Sequence, residues 1–243
     1  FDNTNQLQFL EEHGFKTYSG IYSNASKSLD TTSRILEIDG ELPKHTRHYT
    51  SGNAFGLNIF KANDYETVGL FKNSYFFGSS PITWDKYYPK ANVKKLGGKT
   101  ITQTIFEGEF RFDIFDEYSD YEKYLELKRK YLTSISKPTL FYTHNATPGH
   151  SGLSGKCDPE ENSRYFEGMK KANIEMKNDV LNILSNDPDP IIVLLSDHGP
   201  SLTKNCRELR GYDLSTIDKY DLQDRYGTFL SIHWPKKFNN IEQ

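Results

Sequence analysis

Asp197 and His198 close the run Pro190-Ile-Ile-Val-Leu-Leu-Ser-Asp-His-Gly199. A carboxylate beside an imidazole offers two ligands that suit a divalent ion such as zinc or manganese. A second short apolar run, Thr139-Leu-Phe-Tyr-Thr143, ends in His144, and His150 follows in Thr147-Pro-Gly-His150-Ser-Gly152. The third chemically suggestive segment is Ser23-Asn-Ala-Ser-Lys-Ser28-Leu-Asp-Thr-Thr-Ser33-Arg34, which is crowded with hydroxyls. A hydroxyl at a helix N-terminus sees the positive end of the helix dipole and free N–H groups, which hold a phosphate or sulfate and stabilise an alkoxide. A metal at that oxygen lowers its pKa further and makes it a nucleophile. Taken singly, each feature has an ordinary alternative: a histidine in a polar loop, or a Ser/Thr helix cap.

These residues need elements to hold them. Five consecutive apolar residues bounded by Pro190 and Gly199 read as a fully buried strand of a parallel sheet. Asp197 and His198 then sit at its carboxyl end, the edge where open α/β sheets bind ligands. If Thr139–Thr143 is a neighbouring parallel strand, His144 or His150 faces the same crevice. The polar stretch Ser23–Ser33 suits a loop entering a helix. Other expected elements are helices over 6–13, 52–62, 118–132, 160–184 and 220–225, and strands over 15–22, 66–71 and 228–234. The stretch 73–115 is rich in aromatics and punctuated by Gly78, Pro81, Pro89 and Gly97-Gly98, and reads as an elaborated surface region.

Composition narrows the class. The 243 residues suit one large α/β domain spanning 1–243. The fold expected is a three-layer sandwich with a mixed, mostly parallel sheet between helices. Net charge is only −3 and no block of like charges stands out, so nucleic acid is not an indicated partner. No apolar run approaches the roughly 18 residues needed to cross a bilayer. The two cysteines, Cys157 and Cys206, do not form a C-x-x-C pair. One bridge between them and two free thiols both remain open.

Together, the Ser-Asp-His-Gly strand end, the Gly-His150-Ser-Gly turn and the hydroxyl four residues after Asn24 resemble the alkaline phosphatase and sulfatase superfamily. The likeness is to its membrane-anchored branch of phosphoethanolamine transferases, lipoteichoic acid synthases and phosphoglycerol transferases. It implies that Ser28 stands where the family carries its hydroxyl nucleophile, usually threonine, which is also a metal ligand; Thr31 and Thr32 compete for the position. Asp197 and His198 match the family's metal-binding pair. His150 resembles the histidine that holds the substrate phosphate or a second metal, with His144 at the strand-end position before it and Arg225 as a further residue near the site. The true sulfatase pattern is absent, since Leu29, Asp30, Thr31 and Thr32 follow Ser28.

The resemblance further implies one divalent metal ion, zinc or manganese, with magnesium or calcium as alternatives. An acidic ligand would come from a first strand upstream of Phe1, along with helices tethering the domain to the outer face of a bacterial membrane. Its partners would be a phospholipid headgroup donor and a glycan or lipid acceptor. The expected reaction is transfer of phosphoglycerol or phosphoethanolamine through a phosphorylated nucleophile. The alternatives are a phosphodiesterase or phosphatase, a sulfatase-type hydrolase, and an inert glycan-binding relic. In the last case Tyr75, Phe76, Phe77, Trp84, Tyr87 and Tyr88 would supply stacking surface, against the simpler reading that they are a packed insertion.

Overall fold

The computed structural model describes residues 3–38, 46–78, 80–90, 120–145, 147–149, 159–203 and 214–238. His150, Cys157 and Cys206 lie outside the described residues. In chain order the principal elements are α1 (Thr4–Glu12), β1 (Phe15–Tyr18), α2 (Ser28–Glu37), α3 (Phe55–Ala62), β2 (Glu66–Phe71), β3 (Lys86–Tyr88), α4 (Tyr121–Leu132), β4 (Thr139–His144), α5 (Pro159–Asn186), β5 (Ile192–Leu195), α6 (Lys219–Tyr226) and β6 (Leu230–His233). The chain divides into two compact units, Phe1–Thr31 with Thr147–Gln243, and Thr32–Ala146.

The first unit is built on an antiparallel sheet in the order β1-β6-β5. Gly14, at a φ of 79°, turns the chain out of α1 and into β1, a conformation open to glycine at little cost. Leu10 of α1, Phe15 of β1, Val180 of α5 and Ile192 of β5 form its core, with Ile183, Leu184, Leu194 and Phe229 packed around them. The register pairs Ile192 with His233 and Val193 with Ile232, so alternate residues of β5 point to opposite faces. Ile192 is 6% exposed, whereas Val193 and Leu195 are 47% and 40% exposed. The expectation of a fully buried parallel strand is thus corrected: β5 is antiparallel to β6 and buried on one face only.

The second unit is built on a parallel sheet, β3-β2-β4. β2 carries the signature expected of β5. Thr67, Val68, Leu70 and Phe71 are all nearly inaccessible, because α4 covers one face and an aromatic cluster the other. Val68, Leu70 and Tyr88 pack with Tyr124 of α4. On the opposite face the Trp84 indole lies where a side chain at position 69 would be, so only glycine fits there. Phe71 meets the rings of Phe76, Phe77, Trp84 and Tyr142, and Trp84 Nε1 donates to Thr50 O at 2.9 Å.

Two further corrections follow. β4 is hydrogen-bonded to β2 and β5 to β6, so the two strands that end in candidate residues are not paired with each other among the described residues. The aromatic stretch, expected as an elaborated surface region, is packed where it is described, in keeping with the packed-insertion reading: Tyr75, Phe76, Phe77, Trp84 and Tyr88 are 8% exposed or less, and Tyr87 is half-buried. A period-free stretch with Pro81 and Pro89 hid both β3 and the core it helps to form. The sheet is therefore mixed only in the sense that one three-stranded sheet is parallel and the other antiparallel.

Candidate metal and nucleophile site

Ser28 is the first residue of α2, whose opening turn closes when Thr31 N donates to Lys27 O at 3.0 Å. Ser28 therefore sits where backbone N–H groups have no intrahelical acceptor. The segment before it is shaped by Ser23, whose hydroxyl accepts from Ala25 N at 3.2 Å and meets Thr31 Oγ1 at 3.1 Å. This accounts for Thr31, a competing nucleophile that is 5% exposed with its hydroxyl held inside the turn. Thr32 is fully buried and accepts from the Tyr142 hydroxyl at 3.3 Å. Ser28 is the half-buried hydroxyl of the three.

β5 runs through Ser196 into Asp197 and His198, which brings both beside Ser28. His198 Nε2 is 3.1 Å from Ser28 Oγ and 3.6 Å from Asp197 Oδ2. The other ring nitrogen, Nδ1, lies 2.8 Å from Gly199 O. A carbonyl oxygen can only accept, so Nδ1 carries the proton, and in the neutral ring Nε2 presents its lone pair to Ser28 and Asp197. Asp197 is further oriented by His198 N, which donates to Oδ1 at 3.0 Å.

This arrangement separates two chemistries. In a Ser-His-Asp relay the acid holds the imidazole nitrogen remote from the hydroxyl. Here the acid and the hydroxyl face the same nitrogen, and the remote one is held by a carbonyl. Two oxygen atoms thus approach one ring nitrogen that offers a lone pair, a grouping that suits a cation. Zinc bonds of about 2.0–2.2 Å to nitrogen and oxygen place tetrahedral ligands roughly 3.3–3.5 Å apart. The observed 3.1 and 3.6 Å bracket that spacing. Zinc therefore fits Ser28 Oγ, His198 Nε2 and Asp197 Oδ2 as a partial ligand set. Among the described residues, no group of three or more His, Cys, Asp or Glu side chains is placed to hold a metal.

The loop after His198 rests on the end of α6, which starts with a capping box between Asp218 and Asp221. Gly199 is pressed so close to the Asp224 carbonyl that a Cβ would collide with it. Arg225 is buried, and its Nη1 donates to Ser201 Oγ at 3.4 Å, so this guanidinium braces the loop. Asp224, which the sequence reading passed over, accepts from Leu202 N, Thr203 N and Thr203 Oγ1, each at 3.0 Å. Tyr165 of α5 was also missed; burial, then the charge of Asp224, push its phenol up to about 12. The signal that could have led to Asp224 is that the backbone donors of the Gly-Pro-Ser-Leu-Thr turn require acceptors from somewhere.

His144 belongs to the second unit. It ends β4, its carbonyl accepts from Lys72 N at 3.2 Å, and its ring packs 4.5 Å from that of Phe76. The next residue, Asn145, is fixed by Tyr124 Oη at 2.5 Å and Lys128 Nζ at 3.2 Å, both donating to Oδ1.

No protein-family model matches the chain, and no curated protein matches it in sequence. Among solved structures, the C-terminal periplasmic domain of EcEptC from Escherichia coli, crystallised in complex with Zn, is similar with a TM-score of 0.54. Sequence identity is 11%, over 97% of this chain and 67% of that one. The chain therefore shares the mixed α/β fold of that periplasmic domain, at a sequence distance that carries fold alone.

Proposed function

We propose that the chain transfers a phosphorylated headgroup, phosphoethanolamine or phosphoglycerol, from a phospholipid to a glycan or lipid of the bacterial cell envelope, with Ser28 as nucleophile. The observation that carries this reading is the convergence of Ser28 Oγ and Asp197 Oδ2 on one nitrogen of His198, at 3.1 and 3.6 Å. The EcEptC domain of similar fold is periplasmic and was crystallised with Zn, which favours zinc and an extracytoplasmic location. Among the described residues no helix is long and apolar enough to cross a membrane.

Ser28, Asp197 and His198 would hold the metal, and its contribution when bound is Lewis-acid stabilisation of charge on phosphoryl and alkoxide oxygens. Ser28 gives up its hydroxyl proton to solvent, Oγ attacks phosphorus in line, an Oγ–P bond forms, and the P–O bond to the lipid glycerol breaks. The leaving alkoxide takes a proton and departs as diacylglycerol. An acceptor hydroxyl then attacks the same phosphorus, its P–O bond forms and the Oγ–P bond breaks, restoring Ser28. The first-turn N–H groups of α2 add fixed positive potential beside the reacting oxygen. His150 is proposed to steady the phosphate, and Arg225 to act through the loop it braces.

The test is diacylglycerol release from phosphatidylethanolamine and phosphatidylglycerol vesicles, with and without a sugar alcohol acceptor, comparing wild type with Ser28→Ala. Release that needs Ser28 supports headgroup transfer, and the product identifies sugar or water as acceptor. Release unaffected by the substitution contradicts it.

A further inference from the structure

Both stretches that carry the proposed donors hang on one short segment, Asp224–Thr228, at the C-terminal end of α6. On one side is the loop after His198. Gly199 N donates to Arg225 O at 3.1 Å and Ser201 N to Asp224 O at 3.0 Å. Leu202 N donates to Asp224 Oδ1, and Thr203 N and Oγ1 to Asp224 Oδ2. Pro200 has no N–H, so every backbone donor from Gly199 to Thr203 ends on Asp224 or Arg225. Ser201 is held at a φ of 57°, a left-handed conformation that serine keeps only where its surroundings enforce it.

On the other side is the segment leading to Ser28. Ser23 N donates to Tyr226 O at 2.7 Å, Thr228 N donates to Ile21 O at 3.0 Å, and Tyr22 bridges antiparallel to Gly227. Ser23 in turn meets Thr31 in the first turn of α2. The distance between Ser28 and His198 is thus set through a shared support.

We propose that Asp224 is a positioning residue for the Ser28–Asp197–His198 site, binding the 199–203 loop to the turn that holds Ile21–Ser23 and so fixing His198 Nε2 against Ser28 Oγ. The inference rests on the metal reading of the site and adds to it a residue outside the donor set. A carboxylate suits this place because two N–H groups and one O–H donate to its two oxygens. In either amide orientation, an asparagine would turn its NH2 group toward a backbone N–H. Leu202 is half-buried and Thr203 exposed, so water can reach their amides when the carboxylate is lost. The loop is expected to loosen while the unit stays folded.

The experiment compares the 243-residue chain with Asp224→Asn and with Thr203→Val, which removes one hydroxyl at an exposed residue. Amide hydrogen exchange reads the loop, and calorimetry with zinc reads the donors. Asp224→Asn is expected to speed exchange at Leu202 and Thr203 by about tenfold or more, with β1, β5 and β6 unchanged. It should also weaken zinc affinity about 10- to 100-fold, the usual loss when an outer partner of a metal site is removed. Thr203→Val should shift both readouts the same way by about threefold, and it decides the matter alone if Asp224→Asn does not fold. Faster exchange with unchanged zinc affinity overturns the proposal, as does unchanged exchange. Zinc bound by no form of the chain, or bound equally after Asp197→Ala, overturns the metal reading instead, and the positioning role falls with it.

Discussion

His198 Nε2 stands 3.1 Å from Ser28 Oγ, although 170 residues separate the two in the chain. A separation that small across so long a loop is held only if both ends are anchored, here by the hydrogen bonds that the end of α6 makes to each side. In the proposed reaction the hydroxyl at position 28 gains its chemistry from this neighbour.

Replacing Ser28 with Ala is expected to lower phosphodiester turnover at least about 1,000-fold, the scale on which loss of a nucleophile is felt. The fold should be untouched, because Ser28 is half-buried at the start of a helix. Steady-state kinetics with a chromogenic phosphodiester and a far-ultraviolet spectrum check the two halves together. Thr31→Ala should also lose activity, but with lower thermal stability, since it breaks the hydrogen bond to Ser23.

Asp197→Ala and His198→Ala should each weaken zinc affinity by about 100-fold or more, beyond the loss typical of outer partners. Isothermal titration with zinc measures this directly. Binding that survives both substitutions would remove Asp197 and His198 from the ligand set.

The Tyr165 phenol gives a signature at alkaline pH. Its folded pKa of about 12 lies above the ordinary value near 10, so the unfolded state loses the proton first as pH rises. The protonated form's contribution is complete below about pH 10 and is lost as pH climbs through 12, on the order of 2–3 kcal/mol in all. Urea unfolding across this window should show that decline in the wild type and a shallower one in Tyr165→Phe.

Gly69→Ala probes the aromatic core of the second unit. An added methyl meets the Trp84 ring inside van der Waals distance, and the ring is wedged among Phe71 and Tyr142. Overpacking of this kind costs about 1–3 kcal/mol. Denaturant unfolding followed by tryptophan fluorescence should give a lower midpoint with an unchanged slope.

The elements were legible where a local pattern was strong. β2 appears at the residues expected, α5 and α6 begin and end within two residues of the expected positions, and the polar stretch before Ser28 does enter a helix. Strand pairing was not legible, because an apolar run such as Ile191–Leu195 looks alike whether one face or both are buried. Its partner β6 lies beyond the Asp-His loop and settles the matter only in three dimensions. Nor was the stretch 73–115 legible, since its aromatics follow no period and yet Phe76, Phe77 and Trp84 are core. At the site, Ser28, Asp197 and His198 stood out as residue types that do chemistry, and the structure places them together. Asp224 and Tyr165 did not stand out, because a carboxylate that accepts from a distant loop leaves no mark on its own neighbours in sequence. His150 lies outside the described residues, and its role remains a proposal carried by resemblance.

The central claim is that Ser28 is the nucleophile, and the most direct measurement is peptide mapping by mass spectrometry of the chain quenched during turnover with phosphatidylethanolamine and zinc. The account predicts a phosphoethanolamine adduct on the peptide containing Ser28, localised to that residue by fragmentation and absent in Ser28→Ala. An adduct localised to Thr31 or Thr32, or steady turnover that passes through no adduct on this peptide, would contradict it.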